Sequence, residues 1–113
     1  MIAFAVGMMA STANATESPE VRACNAKFAA SARYLTSASP EWKAMAHHSI
    51  DLNSKYPEDW TDDKVQDSKT RHRHDMDAVL VQIKGGQMTI EQVFADVNAC
   101  EPRLGWPVTP LKV

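Results

Sequence analysis

The side chains best suited to binding chemistry are concentrated in one run, Lys69 to His74, which reads KTRHRH. Such a density of basic and imidazole groups could hold a phosphate group or an acidic protein surface. No aromatic side chain is interleaved, so the base stacking used in binding single-stranded nucleic acid is missing. We therefore predict that Lys69, Arg71, Arg73 and His74 contact an acidic protein partner. The alternative is a solvated helix face.

A second candidate for partner binding is Trp106, in a tail that is too rich in glycine and proline to be helical. Tryptophan is enriched at binding hot spots. The alternative is that Trp106 folds back over the helices, because a small core gains much buried area from an indole ring.

The formal net charge of -2 implies no large electrostatic field of one sign around the protein. Neither nucleic acid nor an anionic membrane is therefore a favoured partner.

The remaining histidines offer weaker chemistry. His47 and Asp51 stand four residues apart and could share a surface ion, but a zinc site needs three or four protein ligands. We expect His47 and His48 to lie on a solvated polar face. His72 falls on an apolar stripe, so we expect a buried histidine with a hydrogen-bond partner. A small-ligand or metal carrier that uses the bundle interior or the histidines remains the alternative function.

The sequence carries no signature of catalysis. There is no G-x-S-x-G, no H-E-x-x-H, no P-loop, no glycine-rich fingerprint and no C-x-x-C-H. The carboxylates between Asp59 and Asp77 cluster at predicted turns and first helical turns, where capping and the helix dipole explain them. We therefore predict that the protein is not an enzyme and has no catalytic residue, metal site or cofactor.

The N-terminal segment, residues 1–15, has the pattern of a secretory signal peptide. An apolar run from Ile2 to Ala10 is followed by Ala13-Asn14-Ala15, an A-x-A cleavage pattern. No Lys or Arg precedes the run. The run is too short to span a bilayer, which takes about 20 residues. We predict cleavage after Ala15, export to the periplasm or the extracellular space, and no stable membrane anchor.

The two cysteines, Cys24 and Cys100, stand near the two ends of the predicted mature chain. An exported chain meets an oxidising compartment, where such a pair closes. The pair is not a C-x-x-C, so neither a redox motif nor a zinc site is indicated. We predict one disulfide between them.

Four helices are predicted from their start and stop signals. Each begins at a hydroxyl-bearing N-cap residue, namely Ser18, Ser39, Thr61 and Thr89. A proline follows each of the two serines at the first helical position. Gln92 completes a capping box for the fourth helix, and Gly85-Gly86 ends the third. The second helix is expected to end at Tyr56 and the fourth at Pro102.

Each predicted helix has an inward stripe at a spacing of three and four residues. In chain order the stripes are Val21, Cys24, Phe28, Ala32 and Leu35; Trp42, Met45, Ala46, Ser49 and Ile50; Val65, His72, Met76, Val79, Leu80 and Ile83; and Val93, Phe94, Val97 and Cys100.

Short loops between four helices favour an all-α fold, a small four-helix antiparallel bundle closed by one disulfide. In such a bundle Cys24 and Cys100 lie at the same end. We divide the chain into a signal peptide (1–15), a helical domain (16–104) and a C-terminal tail containing glycine and proline (105–113). This plan resembles that of periplasmic immunity and inhibitor proteins, a resemblance of architecture alone. It implies a small exported module, inhibitor- or immunity-like, that binds another protein.

Overall fold

The structure, a computed structural model, describes residues 18–112, and within them it is all-helical. The helices are α1 (Pro19–Tyr34), α2 (Pro40–Asn53), α3 (Asp62–Lys84) and α4 (Ile90–Arg103). No strand occurs in this range. None of the helices within it has the length and apolarity that crossing a membrane requires. The predicted signal peptide, residues 1–15, lies outside the described residues.

All four predicted N-caps are confirmed. The backbone N–H of the third residue in each helix donates to the hydroxyl of Ser18, Ser39, Thr61 or Thr89, at 3.1 to 3.2 Å. The fourth cap is a complete capping box, because the N–H of Thr89 also donates to Oε1 of Gln92 at 2.8 Å. At the end of α3, Gly86 has φ +81°, a left-handed conformation that glycine adopts without a steric penalty.

The capping box gives a first testable expectation. Thr89→Ala removes the acceptor for the N–H of Gln92, so the free energy of unfolding should fall by about 1 kcal/mol in urea denaturation. Thr70→Ala is the control, since Thr70 is exposed in the middle of α3 and should change stability by no more than about 0.5 kcal/mol. An unchanged urea midpoint for Thr89→Ala would mean that this cap does not stabilise α4.

The first helix is the centre of the bundle, because α1 packs against each of the other three helices. Its buried positions therefore extend over more than one stripe and include Ala26, Ala30 and Ser31 beside the predicted Cys24 and Phe28. The predicted inward face of α4 is confirmed at all four positions, which are Val93, Phe94, Val97 and Cys100.

The predicted disulfide is confirmed. Cys24 and Cys100 are bonded, with their Cα atoms 6.0 Å apart. The bond joins the first half of α1 to the last turns of α4, at the end of the bundle where an antiparallel arrangement brings them together. Two ion pairs between the same helices flank it, Glu20 with Arg103 and Lys27 with Asp96.

The sequence-based prediction of α2 is wrong in two respects. Ile50 was expected to face inward but is 63 % exposed, whereas Leu52 is buried. The helix ends at Asn53, three residues before the predicted end at Tyr56.

The predicted end of α4 at Pro102 is also wrong. Pro102 lies inside the last turn, because the N–H of Leu104, two residues after it, still donates to the carbonyl of Cys100.

Candidate functional site

A pocket of about 270 Å³ lies where α1, α2 and α3 meet, and we call it the α3 pocket. Its lining residues are Asn25 and Ala29 from α1, Ser49 and Asn53 from α2, and Lys69, His72, Arg73 and Met76 from α3. None of these lining residues is acidic. Lys69 and Arg73 are exposed and stand one helical turn apart, so they place two positive charges at one rim. The pocket is therefore a concave surface of positive charge.

Two buried polar side chains form the floor of the α3 pocket. Asn25 is 2 % exposed and His72 is 6 % exposed. The Nδ2 of Asn25 lies 3.0 Å from Nδ1 of His72 and donates to Oδ1 of Asn53 at 2.9 Å. The network ties three helices together through side chains that are far apart in the sequence. It confirms the prediction that His72 is buried with a hydrogen-bond partner.

The five residues predicted to bind a partner fall in separate places. Lys69 and Arg73 line the α3 pocket. Arg71 is half-buried elsewhere on the same helix, and His74 lies against a different surface formed with Asp77 and Gln82. A helix turns about 100° per residue, so the six residues of the run KTRHRH are spread around α3 and cannot all share one face.

Trp106 belongs to a second cluster, built around the wholly buried carboxylate of Glu101 in α4. The side chains of His48 and Asn98 lie 2.8 and 3.1 Å from its oxygens. Thr109 donates to the same carboxylate with its N–H at 2.9 Å and also with its hydroxyl. Glu101 therefore fastens the tail to the helices, and the tail turns back at Gly105, which has φ +84°.

The charge of Glu101 is stabilised despite its burial. Burial raises the pKa of Glu101. Hydrogen bonds from the Thr109 hydroxyl, the Thr109 N–H, His48 and Asn98 lower it by more than burial raises it, so the pKa lies below the ordinary 4.5. Charge-assisted hydrogen bonds of this kind favour the ionised form. Glu101 is thus an acceptor for four groups.

The expected solvated position of His48 is wrong, although His47 is exposed as predicted. The His48 side chain is only 14 % exposed, and its ring stacks on Trp106 with the centroids 4.0 Å apart and the planes 2° from parallel. Phe28 packs at a tilt against both rings. The physical reason is the returning tail, which covers His48 and supplies the stacking partner.

An imidazole oriented by a buried carboxylate also occurs in hydrolytic sites, where it activates a nucleophile. His48 lines a shallow surface groove with His47, Ile50, Asp51, Ser54 and Trp106. Ser54 carries the one hydroxyl among these lining residues, and it donates to the backbone carbonyl of Asp51 at 2.9 Å. The arrangement accounts for the position of the tail, and the Ser54 hydroxyl is directed at a backbone oxygen.

Sequence reasoning missed Glu101 and Asn25, although both carry a signal. Glu101 continues the inward stripe of α4, four residues after Val97 and seven after Phe94. Asn25 lies three residues before Phe28 on α1. A polar residue in phase with an apolar stripe indicates a buried, hydrogen-bonded group.

Among residues 18–112, no group of three or more His, Cys, Asp or Glu side chains is placed to hold a metal ion.

The comparisons with known proteins found no relative of this chain. No protein-family model, curated protein or solved structure matches the chain.

Proposed function

We propose that this protein is a small exported helical module that binds an acidic surface of another protein, as an inhibitor or immunity protein does. The observation that carries the proposal is the α3 pocket. Lys69 and Arg73 present positive charge at its rim, and the residues that line it include no carboxylate to neutralise them. An acidic group on a partner is the complement of such a surface.

The dimensions of the α3 pocket favour a partner side chain over a free metabolite. Its volume of about 270 Å³ is at or below the lower end of pockets that enclose small ligands, roughly 300 to 1,000 Å³. A carboxylate side chain projecting from a protein surface is small enough to enter. Arg73 can bind both of its oxygens through a guanidinium fork, while Lys69 and Ser49 add single donors.

The alternative, a carrier that holds a small ligand or metal, has less support. Phe28, Met45 and Val97 fill the centre of the bundle and are inaccessible to solvent. A carrier would therefore have to hold its ligand at the surface.

The disulfide supports export, because such bonds persist in oxidising compartments and are rare in reducing ones.

The binding proposal is tested with a defined acidic probe, a fluorescein-labelled hexaglutamate peptide, by fluorescence polarisation at low ionic strength. We expect the double charge reversal Lys69→Glu/Arg73→Glu to weaken binding at least about tenfold, since two attractive contacts become repulsive. Binding by the unchanged protein should also weaken as salt is added, because salt screens exposed charges.

A matched control separates the pocket from the overall charge. Lys43→Glu/Lys84→Glu alters the net charge by the same amount at two exposed positions on α2 and α3 outside the α3 pocket. This variant should retain most of the affinity. Equal weakening by both double variants would contradict the proposal, since binding would then follow net charge and not the pocket. Absence of peptide binding by the unchanged protein would contradict it as well.

A further inference from the structure

The hydrogen-bond network beneath the α3 pocket depends on the protonation of His72. A single amide nitrogen, Nδ2 of Asn25, contacts both Oδ1 of Asn53 and Nδ1 of His72. An amide nitrogen can only donate, so in this arrangement Nδ1 of His72 accepts and the ring is neutral. A proton on Nδ1 would point at the Asn25 N–H, so a charged His72 requires a different arrangement of the network.

Asn25 can supply the acceptor that a charged His72 requires. Its side-chain oxygen, Oδ1, is buried and has no hydrogen-bond partner within residues 18–112. A half-turn of the amide exchanges oxygen and nitrogen, two groups of similar size. Oδ1 then accepts from a protonated Nδ1 of His72, and a matching turn of Asn53 supplies a second donor. A charged His72 is accommodated in this way without movement of the helices.

The charges around His72 decide which arrangement is favoured. On its own helix, Lys69 and Arg73 line the pocket with it, and Asp75 one turn further on is paired with Arg22 of α1 at 3.0 Å. The lining residues that α1 and α2 contribute are uncharged. In the unbound protein, burial and two like charges favour the neutral ring. A carboxylate held between Lys69 and Arg73 reverses this balance, because it compensates their charge and attracts a proton to the imidazole.

We propose that the α3 pocket is a proton-coupled carboxylate site, in which binding of a partner's Glu or Asp side chain is accompanied by protonation of His72. This inference rests on the proposed function and names how the same site is regulated. Coupling is reciprocal, so acidic conditions must strengthen binding if binding promotes protonation. Glu and Asp stay largely ionised above about pH 5.5, so over that range the change in affinity arises in the protein.

Isothermal titration calorimetry with acetylated, amidated hexaglutamate tests the coupling at constant low ionic strength. We expect binding to be about fivefold or more tighter at about pH 5.5 than at about pH 7.5. Titrations in two buffers of different ionisation enthalpy should report proton uptake on binding. In His72→Asn, which keeps an acceptor near the position of Nδ1, the uptake and most of the pH dependence should disappear. His74→Asn is the control, an exposed histidine on the same helix that does not line the pocket.

A second measurement keeps the test decisive if His72→Asn does not fold. In the unchanged protein, imidazole NMR signals are followed with pH, with and without peptide. The peptide should move the titration midpoint of His72 to higher pH and leave that of His74 nearly unchanged. Binding that is independent of pH, or that loses its pH dependence in His74→Asn, would overturn the coupling but leave the proposed function standing. Absence of binding at every pH would overturn both.

Discussion

Replacing both cysteines with alanine should lower the free energy of unfolding by about 4 to 4.5 kcal/mol. The disulfide joins residues 76 positions apart, and closing so long a loop removes much of the conformational entropy of the unfolded chain. The effect is large because a domain of this size has only about 5 to 10 kcal/mol in total. Urea denaturation of Cys24→Ala/Cys100→Ala, compared with the oxidised protein, measures it directly.

The control for this prediction is the unchanged protein in a reducing agent, which breaks the same bond without altering the side-chain volume. Both forms should lose a similar amount of stability, since Cys24 and Cys100 are buried and replacement by alanine removes only the sulfur atoms. A loss below about 1 kcal/mol in both would contradict the prediction and would mean that the unfolded chain gains little freedom when the bond is absent.

The second large effect is expected at Glu101. Glu101→Gln keeps the shape of the side chain but places an NH₂ group where the carboxylate accepts hydrogen bonds from His48, Asn98 and Thr109. A buried donor then faces another donor, and the free energy of unfolding should fall by about 3 kcal/mol. Glu91→Gln, at an exposed position in the first turn of the same helix, should cost less than about 0.5 kcal/mol.

The same carboxylate should make stability depend on pH in the acid range. The pKa of Glu101 is lower in the folded protein than its ordinary 4.5, because the hydrogen bonds outweigh burial. Its contribution is therefore fully present above the unfolded pKa and is lost as the pH falls through the folded pKa. The difference in stability between the unchanged protein and Glu101→Gln should narrow below about pH 4.5 in urea titrations. If the difference in stability between the two proteins stays constant down to about pH 3, the ionised carboxylate of Glu101 does not stabilise the fold as proposed.

The helices of this protein could be predicted because their signals are local. The capping box at Thr89 and the N-cap at Ser39 each lie within four residues of the helix that they start. The phase of α2 could not be predicted so well. Leu52 lies seven residues after Met45, which returns to the same face, whereas Ile50 lies five residues after it and is turned by about 140°. The predicted stripe reached Ile50 because it lies four residues after Ala46, whereas the phase set by the buried Met45 favours Leu52.

The candidate site could be predicted only in part, because it is assembled from distant segments. Lys69 and Arg73 were found from their charge, but His72 beneath them is joined to Asn25 and Asn53 from two other helices. The pairing of His48 with Glu101 spans 53 residues of sequence and depends on where the tail returns. No local pattern reports such a contact. A carboxylate is also expected at the surface unless it is paired, which is why Glu101 was overlooked.

The most direct test of the functional account is to locate an acidic ligand on the protein by NMR. Backbone and side-chain amide signals of ¹⁵N-labelled protein are followed as unlabelled hexaglutamate peptide is added at low ionic strength. The account predicts that the largest shifts fall on the lining of the α3 pocket, including the side-chain amides of Asn25 and Asn53, with small shifts around His47 and Trp106. Largest shifts at the groove beside His48, or shifts spread evenly over every exposed lysine and arginine, would contradict it.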